Sequence, residues 1–267
     1  MKSICLSCLL YTLKDKEVKD NLYIDVFFQW LAMVVKNAGL TEHDVIHINM
    51  DMRTIEYLEN EVSIGATLLK KLNCDYNIYA FEPPQTSLEG MMNKYTFNEY
   101  TQDIYIYTDI DMFILKPLRN MVSELNIDTY YFLKGESLDK KFYSEGFPSD
   151  FIPPDILTTL PGFNASLFIV TSILLRDNFF SRINELCDYS SEYLCVEQPY
   201  FNRAIYEIPR KELHVNIDLL SIYAEFSAFD VNSKVIFLDF CGETSNGLSH
   251  FIKMSRIMCL VLVDSLE

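Results

Sequence analysis

Asp109 and Asp111 are the residues whose type and spacing most directly suggest chemistry. They close the stretch Asp103-Ile104-Tyr105-Ile106-Tyr107-Thr108-Asp109-Ile110-Asp111, and the apolar run Met112-Phe113-Ile114-Leu115 follows at once. Two carboxylates this close, embedded in core sequence, repel each other unless something neutralises them. A divalent cation does so. Carboxylate oxygens are hard ligands suited to Mn²⁺ or Mg²⁺, which keep coordination positions open for substrate phosphates. The simpler reading is an acidic turn at a strand end. The apolar runs on both sides favour the metal. Cys5-x-x-Cys8 is the other pair with ligand or redox spacing. A zinc ribbon needs a second such pair, which the sequence lacks, and within a strand these two side chains point to opposite faces. They read as structural thiols.

The carboxylate pair must be positioned by a strand, and Ile104–Thr108 has the β-branched and aromatic content of a buried one. Upstream, Ile4 to Tyr11 reads as strand one. Leu22 to Ala38 is a helix with apolar residues at Val26, Phe27, Trp30, Leu31 and Val34, stopped by Gly39. Val45 to Asn49 is strand two, and Ile55, Leu58, Val62 and Leu69 mark a second helix. Asn77 to Phe81 is strand three, and Met91 to Tyr100 a further helix. Strands alternating with helices predict an α/β fold, its central sheet mostly parallel with helices on both faces. In such sheets ligands bind beyond the carboxyl ends of the strands, where Asp109 and Asp111 fall. Downstream, Tyr130–Leu133 and Phe163–Val170 read as strands, Ile173–Cys187 and Glu197–Tyr206 as helices, and Val235–Phe240 as the last strand. Lys134 to Leu160 is loop-rich and suits a substrate-handling role. The expected organisation is one domain over 1–267, with a nucleotide-handling half (1–120) and a substrate-handling half (121–267).

The 267 residues include 49% apolar and 14% aromatic side chains, enough for a sizeable core. A net charge of −16 argues against nucleic acid as a partner, since phosphate backbones need Lys and Arg. The N-terminal apolar run is short and meets Lys14-Asp15-Lys16-Glu17 rather than a cleavage site, so it reads as a strand and not a signal peptide. No apolar stretch is long enough for a membrane span. The odd number of cysteines, seven, in largely apolar contexts suggests free thiols in a reducing, cytoplasmic setting.

Four blocks, in order, resemble those of GT-A-fold glycosyltransferases, closest in pattern to the glycogenin and bacterial galactosyltransferase group (family 8 and its relatives). Asn93-Lys94-Tyr95 precedes Ile106-Tyr107-Thr108-Asp109-Ile110-Asp111, as a basic residue precedes the family's Tyr-x-Asp-x-Asp strand. Phe163-Asn164-Ala165-Ser166-Leu167 resembles its Phe-Asn-(Ser/Ala)-Gly strand. Glu197-Gln198-Pro199-Tyr200-Phe201-Asn202 is similar to its Asp-Gln-x-x-x-Asn helix start. Asp239-Phe240-Cys241-Gly242 with Lys253 resembles its His-Phe-x-Gly and trailing Lys.

The resemblance implies a nucleotide-sugar donor, UDP-sugar above all, a glycan or other hydroxyl acceptor, and Mn²⁺ or Mg²⁺ held by Asp109 and Asp111. It implies donor contacts from Lys94, Asn164 and Lys253 beside Asp109. Tyr11 and Tyr23 are candidates to stack on the base, or ordinary core tyrosines. Asp51 either faces the donor or caps a helix. The chain departs from the family in three places. Asp239 stands where the family has a metal-binding His, with His250 the alternative ligand. Glu197 replaces an Asp, and Ser166 replaces a Gly, which narrows the sugar pocket.

Such enzymes retain configuration at the anomeric carbon. Retention needs either a carboxylate nucleophile or attack on the leaving-group face. Gln198 is the candidate to stabilise a cationic transition state, and Glu197 to act as nucleophile or to orient the acceptor. A sugar nucleotidyltransferase is the rival enzyme, but it wants a Gly-rich phosphate loop after strand one, and Leu9 to Asp20 contains no Gly. A binding or scaffold protein on the same fold is the non-enzymatic rival.

Overall fold

The computed structural model describes residues 2–61, 63–96, 101–191, 193, 195–208, 213–214, 235–240 and 252–259, with backbone alone at 61, 63, 64, 213 and 214. The chain runs β1 (Ile4–Leu10), α1 (Tyr23–Asn37), β2 (Val45–Asp51), α2 (Met52–Glu61), α3 (Ser63–Leu69), β3 (Asp75–Phe81), α4 (Ser87–Met92) and β4 (Ile104–Thr108). It continues through β5 (Met112–Ile114), α5 (Leu118–Glu124), β6 (Tyr130–Ser137), α6 (Lys141–Ser144), α7 (Pro154–Leu157), β7 (Pro161–Val170), α8 (Ile173–Leu186), α9 (Gln198–Glu207), β8 (Leu213–His214), β9 (Phe237–Asp239) and α10 (252–259).

The strands form a seven-stranded sheet of order β3-β2-β1-β4-β7-β6-β8 and a two-stranded sheet of β5 with β9. β1 to β4 are mutually parallel. β7 runs antiparallel to both β4 and β6, and β8 runs parallel to β6. The fold is therefore mixed α/β around a mostly parallel sheet, as the alternation of elements predicts. β7 bonds directly to β4, so one sheet crosses the boundary between the two halves of the chain.

Alternate side chains of each strand feed two cores. Ile4, Leu6, Cys8 and Leu10 join Ile46, Ile48, Ile104 and Ile106 beneath α1. Cys5, Leu9, Tyr105 and Tyr107 join Phe168, Val170, Phe179, Phe180 and Phe201 beneath α8 and α9. Burial on both faces explains why these strands read as continuous apolar runs. It also separates Cys5 from Cys8, both free thiols. Helix α1 ends as expected: Gly39 takes φ +63°, the left-handed C-terminal position that glycine adopts without strain.

Two expected helices differ. The segment around Ile55 to Leu69 forms two helices, α2 and α3. The helix expected over Met91–Tyr100 starts earlier, at Ser87, and gives way to a 3-10 turn over Asn93–Tyr95; residues 97–100 lie outside those described. A capping box sets the start. Thr86 Oγ1 accepts from Glu89 N at 3.2 Å, and the Glu89 carboxylate accepts from Thr86 N. Thr86-x-x-Glu89 was legible as such a signal, and counting apolar positions missed it. Among the described residues no helix is long and apolar enough to cross a membrane.

Candidate functional site

The order β3-β2-β1-β4 means that the chain leaves β1 toward one sheet edge and returns to β1's other side. The crevice beyond the carboxyl ends of β1 and β4 is thus a topological switch point, where open α/β sheets take ligands. Tyr11 follows β1 and Asp109 follows β4, so the two residues flank it. The exit of β1 is pinned. Thr12 N donates to Asp51 Oδ2 at 2.8 Å, and Asn21 Nδ2 donates to Tyr11 O (3.0 Å) and Thr12 Oγ1 (2.8 Å). Asp51 is fully buried and also accepts from Arg53 N and Thr54 N, both at 3.1 Å. It caps α2, so of the two readings of Asp51 the cap is the one observed.

Tyr11 is half-buried. Its ring lies on Gly90, where an added Cβ would come within 2.3 Å of it, and its hydroxyl donates to Ser87 O at 3.3 Å. Burial first, then the Glu197 carboxylate, raises the phenol pKa. Tyr23, the first residue of α1, packs against the other core, under the opposite sheet face. The structure does not pair the two tyrosines in one aromatic cluster.

Lys94 is the centre of charge. It is 1% exposed, with Nζ 2.7 Å from Glu197 Oε1 and 3.0 Å from Asp109 Oδ1, and 5.3 Å from the Tyr107 ring centroid. Tyr107 Oη donates to Asp109 Oδ1 at 2.7 Å. Burial works against the Lys94 charge, but the Asp109 and Glu197 carboxylates outweigh it and raise its pKa well above the ordinary value. The adjacent Tyr95 anchors this turn. Its ring stacks near Phe168 and Phe201 and meets Phe180 edge-on, and Asn184 Nδ2 donates to its carbonyl at 3.1 Å.

Glu197 stands at the N-cap of α9 but makes no side-chain cap bond, which leaves its carboxylate for Lys94. The residue before it, Val196, holds φ +32°, a costly conformation for a β-branched residue and one that concentrates at functional sites. Gln198 Oε1 accepts from Ala165 N at 3.4 Å, and its Nε2 reaches Phe142 O at 3.5 Å. Asn202 clamps the same helix to β7. It accepts from Phe163 N (2.7 Å) and donates to Phe163 O and Gln198 O (both 2.9 Å).

β7 carries a bulge at this point. Phe132 pairs with Phe168 and Leu133 with Asn164, so Ala165, Ser166 and Leu167 fall between successive β6 partners. Bulges re-aim side chains and are common beside active sites. Here Ser166 O accepts from Asp109 N at 2.8 Å, while Ser166 Oγ bonds Asp239 Oδ2 at 3.2 Å. Asp239 pairs with Met112 across β5 and β9, and Phe240 N donates to Asp111 O at 3.1 Å. The backbones that carry Asp109, Asp111 and Asp239 are therefore tied together by short links. Burial, then Asp109 and Asp239, raise the Asp111 pKa well above a normal carboxyl, with Lys94 opposing.

Asn164 is half-buried at the bulge. Lys253 is half-buried on α10, which packs on α1 through Met254, Ile257 and a 2.7 Å bond from Gln29 Nε2 to Ser255 Oγ. His250, with Cys241 and Gly242, lies outside the described residues. Among those described, no three His, Cys, Asp or Glu side chains are already gathered as a metal-holding group. The chemistry of the donor set nevertheless fits a hard cation. Asp109 and Glu197 face one buried ammonium, Asp111 and Asp239 add two further carboxylates close by in the fold, and a divalent ion would offset the surplus negative charge.

A cavity of about 1120 Å³ opens at the other end of the strands, its lining including Val45, His47, Asp75, Asn77 and Arg176. Its guanidinium is locally answered. Arg176 Nε donates to Asp177 at 2.7 Å, and burial, then Arg176, lower the His47 pKa to about 4. The crevice where Asp109 and Glu197 meet the buried Lys94 is the better chemical site.

Sequence reasoning did not assign Tyr107, Asn202 or Trp30, whose Nε1 donates to Thr108 Oγ1 at 3.1 Å just before Asp109. The Tyr107 bond to Asp109 is local, two residues along the strand end, whereas the Asn202 bonds to Phe163 and the Trp30 bond span 39 and 78 residues and leave no local pattern. No protein-family model matches this sequence, and no curated protein matches it either.

Proposed function

We propose that this protein is a GT-A-type, metal-dependent glycosyltransferase that moves a hexose from a nucleotide-sugar donor, UDP-sugar above all, to a saccharide or other hydroxyl acceptor with retention. One observation carries the reading. Lys94, Asp109, Asp111, Ser166, Glu197-Gln198 and Asp239, scattered through the chain, converge at the switch point of a mostly parallel sheet. Asp109, Asp111 and Asp239 would hold Mn²⁺ or Mg²⁺, which when bound supplies charge neutralisation for the departing nucleoside diphosphate. Tyr11 borders the nucleotide side of the crevice. Lys94, the buried cation beside Asp109, adds positive potential toward the donor phosphates.

Glu197 pairs with Lys94 at 2.7 Å. That pairing lowers its nucleophilicity, so the reading favours attack on the leaving-group face over a covalent intermediate. The acceptor oxygen bonds to the anomeric carbon as the bond to the phosphate oxygen breaks, and the acceptor proton passes to that departing oxygen. The Glu197 carboxylate and the Gln198 amide then act on the positive charge that develops on the sugar. Free thiols at Cys5, Cys8, Cys74, Cys187, Cys195 and Cys259 support a cytoplasmic, reducing setting.

A non-catalytic binding role is favoured by one specific fact: Lys94 already neutralises Asp109. Thermal unfolding with nucleoside diphosphates and nucleotide sugars, each with and without Mn²⁺, separates the readings. A ligand at a hundred times its Kd stabilises by about 2.7 kcal/mol. Stabilisation by UDP only in the presence of Mn²⁺, with slow donor hydrolysis, supports the transferase. Metal-independent stabilisation without hydrolysis supports a binding protein. No shift with any nucleotide overturns both.

A further inference from the structure

We infer that Ser166 is a positioning residue for the carboxylate site, setting Asp239 relative to Asp109 through two different atoms. The inference rests on the metal-dependent reading above. Ser166 sits on the β7 bulge and is 5% exposed. Its carbonyl takes the Asp109 amide at 2.8 Å, extending the β4–β7 ladder by one residue past Thr108–Leu167. Its hydroxyl bonds Asp239 Oδ2 at 3.2 Å. Asp239 belongs to the separate two-stranded sheet, and β5 follows Asp109 by only a few residues. Ser166 is thus a side-chain link between the main sheet, which carries Asp109, and the strand pair that carries Asp239. Asp239 is itself 2% exposed. A buried carboxylate without its hydroxyl partner would turn toward another donor or relax outward. Hydrogen-bond partners that orient metal-binding groups commonly contribute 10-fold or more to affinity.

The substitution Ser166→Ala removes the hydroxyl and keeps the carbonyl, so it isolates the Asp239 contact from the Asp109 contact. The measurement is Mn²⁺ affinity of the full chain by titration calorimetry and by Mn²⁺ electron paramagnetic resonance, with no sugar donor. The set is wild type, Ser166→Ala, Ser166→Thr, Asp239→Ala and the double variant Ser166→Ala/Asp239→Ala. Unfolding of each metal-free protein is followed in parallel. If Asp239→Ala does not fold, Asp239→Asn replaces it in the cycle.

The expected result is a loss of about 10-fold in Mn²⁺ affinity for Ser166→Ala. Ser166→Thr restores most of it, and Ser166→Ala has no further effect once Asp239 is gone. Wild-type affinity in Ser166→Ala overturns the inference and leaves the metal reading standing. An equal loss with and without Asp239 also overturns it, because Ser166 would then act through the bulge backbone or the fold. Failure of the wild-type protein to bind Mn²⁺ overturns the metal reading itself, and the inference with it.

Discussion

Lys94 Nζ lies 2.7 Å from Glu197 Oε1, a contact that spans 103 residues of sequence and is almost wholly buried. The same ammonium reaches Asp109 at 3.0 Å. One cation therefore ties the end of β4 to the start of α9, and its removal leaves two carboxylates without their partner.

The substitution Lys94→Met should destabilise the fold by about 3–5 kcal/mol, the usual cost of removing one partner from a buried pair. The pH dependence follows from the raised Lys94 pKa. Its contribution is fully present below the ordinary value of about 10.5 and disappears as pH rises through the higher folded-state value. Urea unfolding should show a constant gap between wild type and Lys94→Met from pH 6 to 9, narrowing only in strong base. A gap that closes near neutral pH would refute the ion-pair account.

Asp111 has the opposite balance. Its raised pKa means that the folded state holds the proton more tightly than the unfolded state, so ionisation costs stability as pH rises above about 3.8. Asp111→Asn should therefore stabilise the metal-free protein at pH 7 by about 0.5–2 kcal/mol. The gain should vanish below pH 4. The same variant should lose Mn²⁺-dependent stabilisation by UDP. Chelation of the wild type should abolish that stabilisation too, without lowering the metal-free midpoint.

Gly90 supports the Tyr11 ring, and an alanine Cβ would sit 2.3 Å from it. Gly90→Ala must push the ring out of place. UDP affinity in the presence of saturating Mn²⁺ should fall about 10-fold, a cost of about 1.4 kcal/mol. Mn²⁺ affinity should stay at the wild-type level, because the carboxylates lie on the other side of the crevice. Unchanged UDP affinity would remove Tyr11 from the donor site.

Asn202 makes three hydrogen bonds, two buried ones to Phe163 and a part-buried one to Gln198. Asn202→Ala should cost about 2–4 kcal/mol in equilibrium unfolding, because the Phe163 amide and carbonyl are left unsatisfied. An effect under 1 kcal/mol would mean that water replaces the side chain.

Much of the first half was legible because its elements are local. The 3.6-residue apolar spacing of α1 and the glycine after it, together with the buried run of β4 ending at Asp109, state their own conformation. Parallel pairing followed from the alternation of strands and helices. The start of α4 was also local, in Thr86-x-x-Glu89. Other features depend on packing between distant segments. The antiparallel insertion of β7 beside β4, the β5–β9 pair and the bulge at Ser166 are set by which strands fit together, and residue propensity does not encode strand partners.

The sequence by itself determined the helices and strands of the N-terminal half and the end of β4 as the site of the paired carboxylates, because backbone preference and apolar period act over a few residues. Only the tertiary structure decided that Lys94 joins Asp109 to Glu197. Likewise, it alone decided that Ser166 joins Asp109 to Asp239, and that Tyr11 and Tyr23 serve different cores. Those relationships are hydrogen bonds, ion pairs and packing contacts between segments far apart along the chain, whose geometry exists only once the sheet has closed around them.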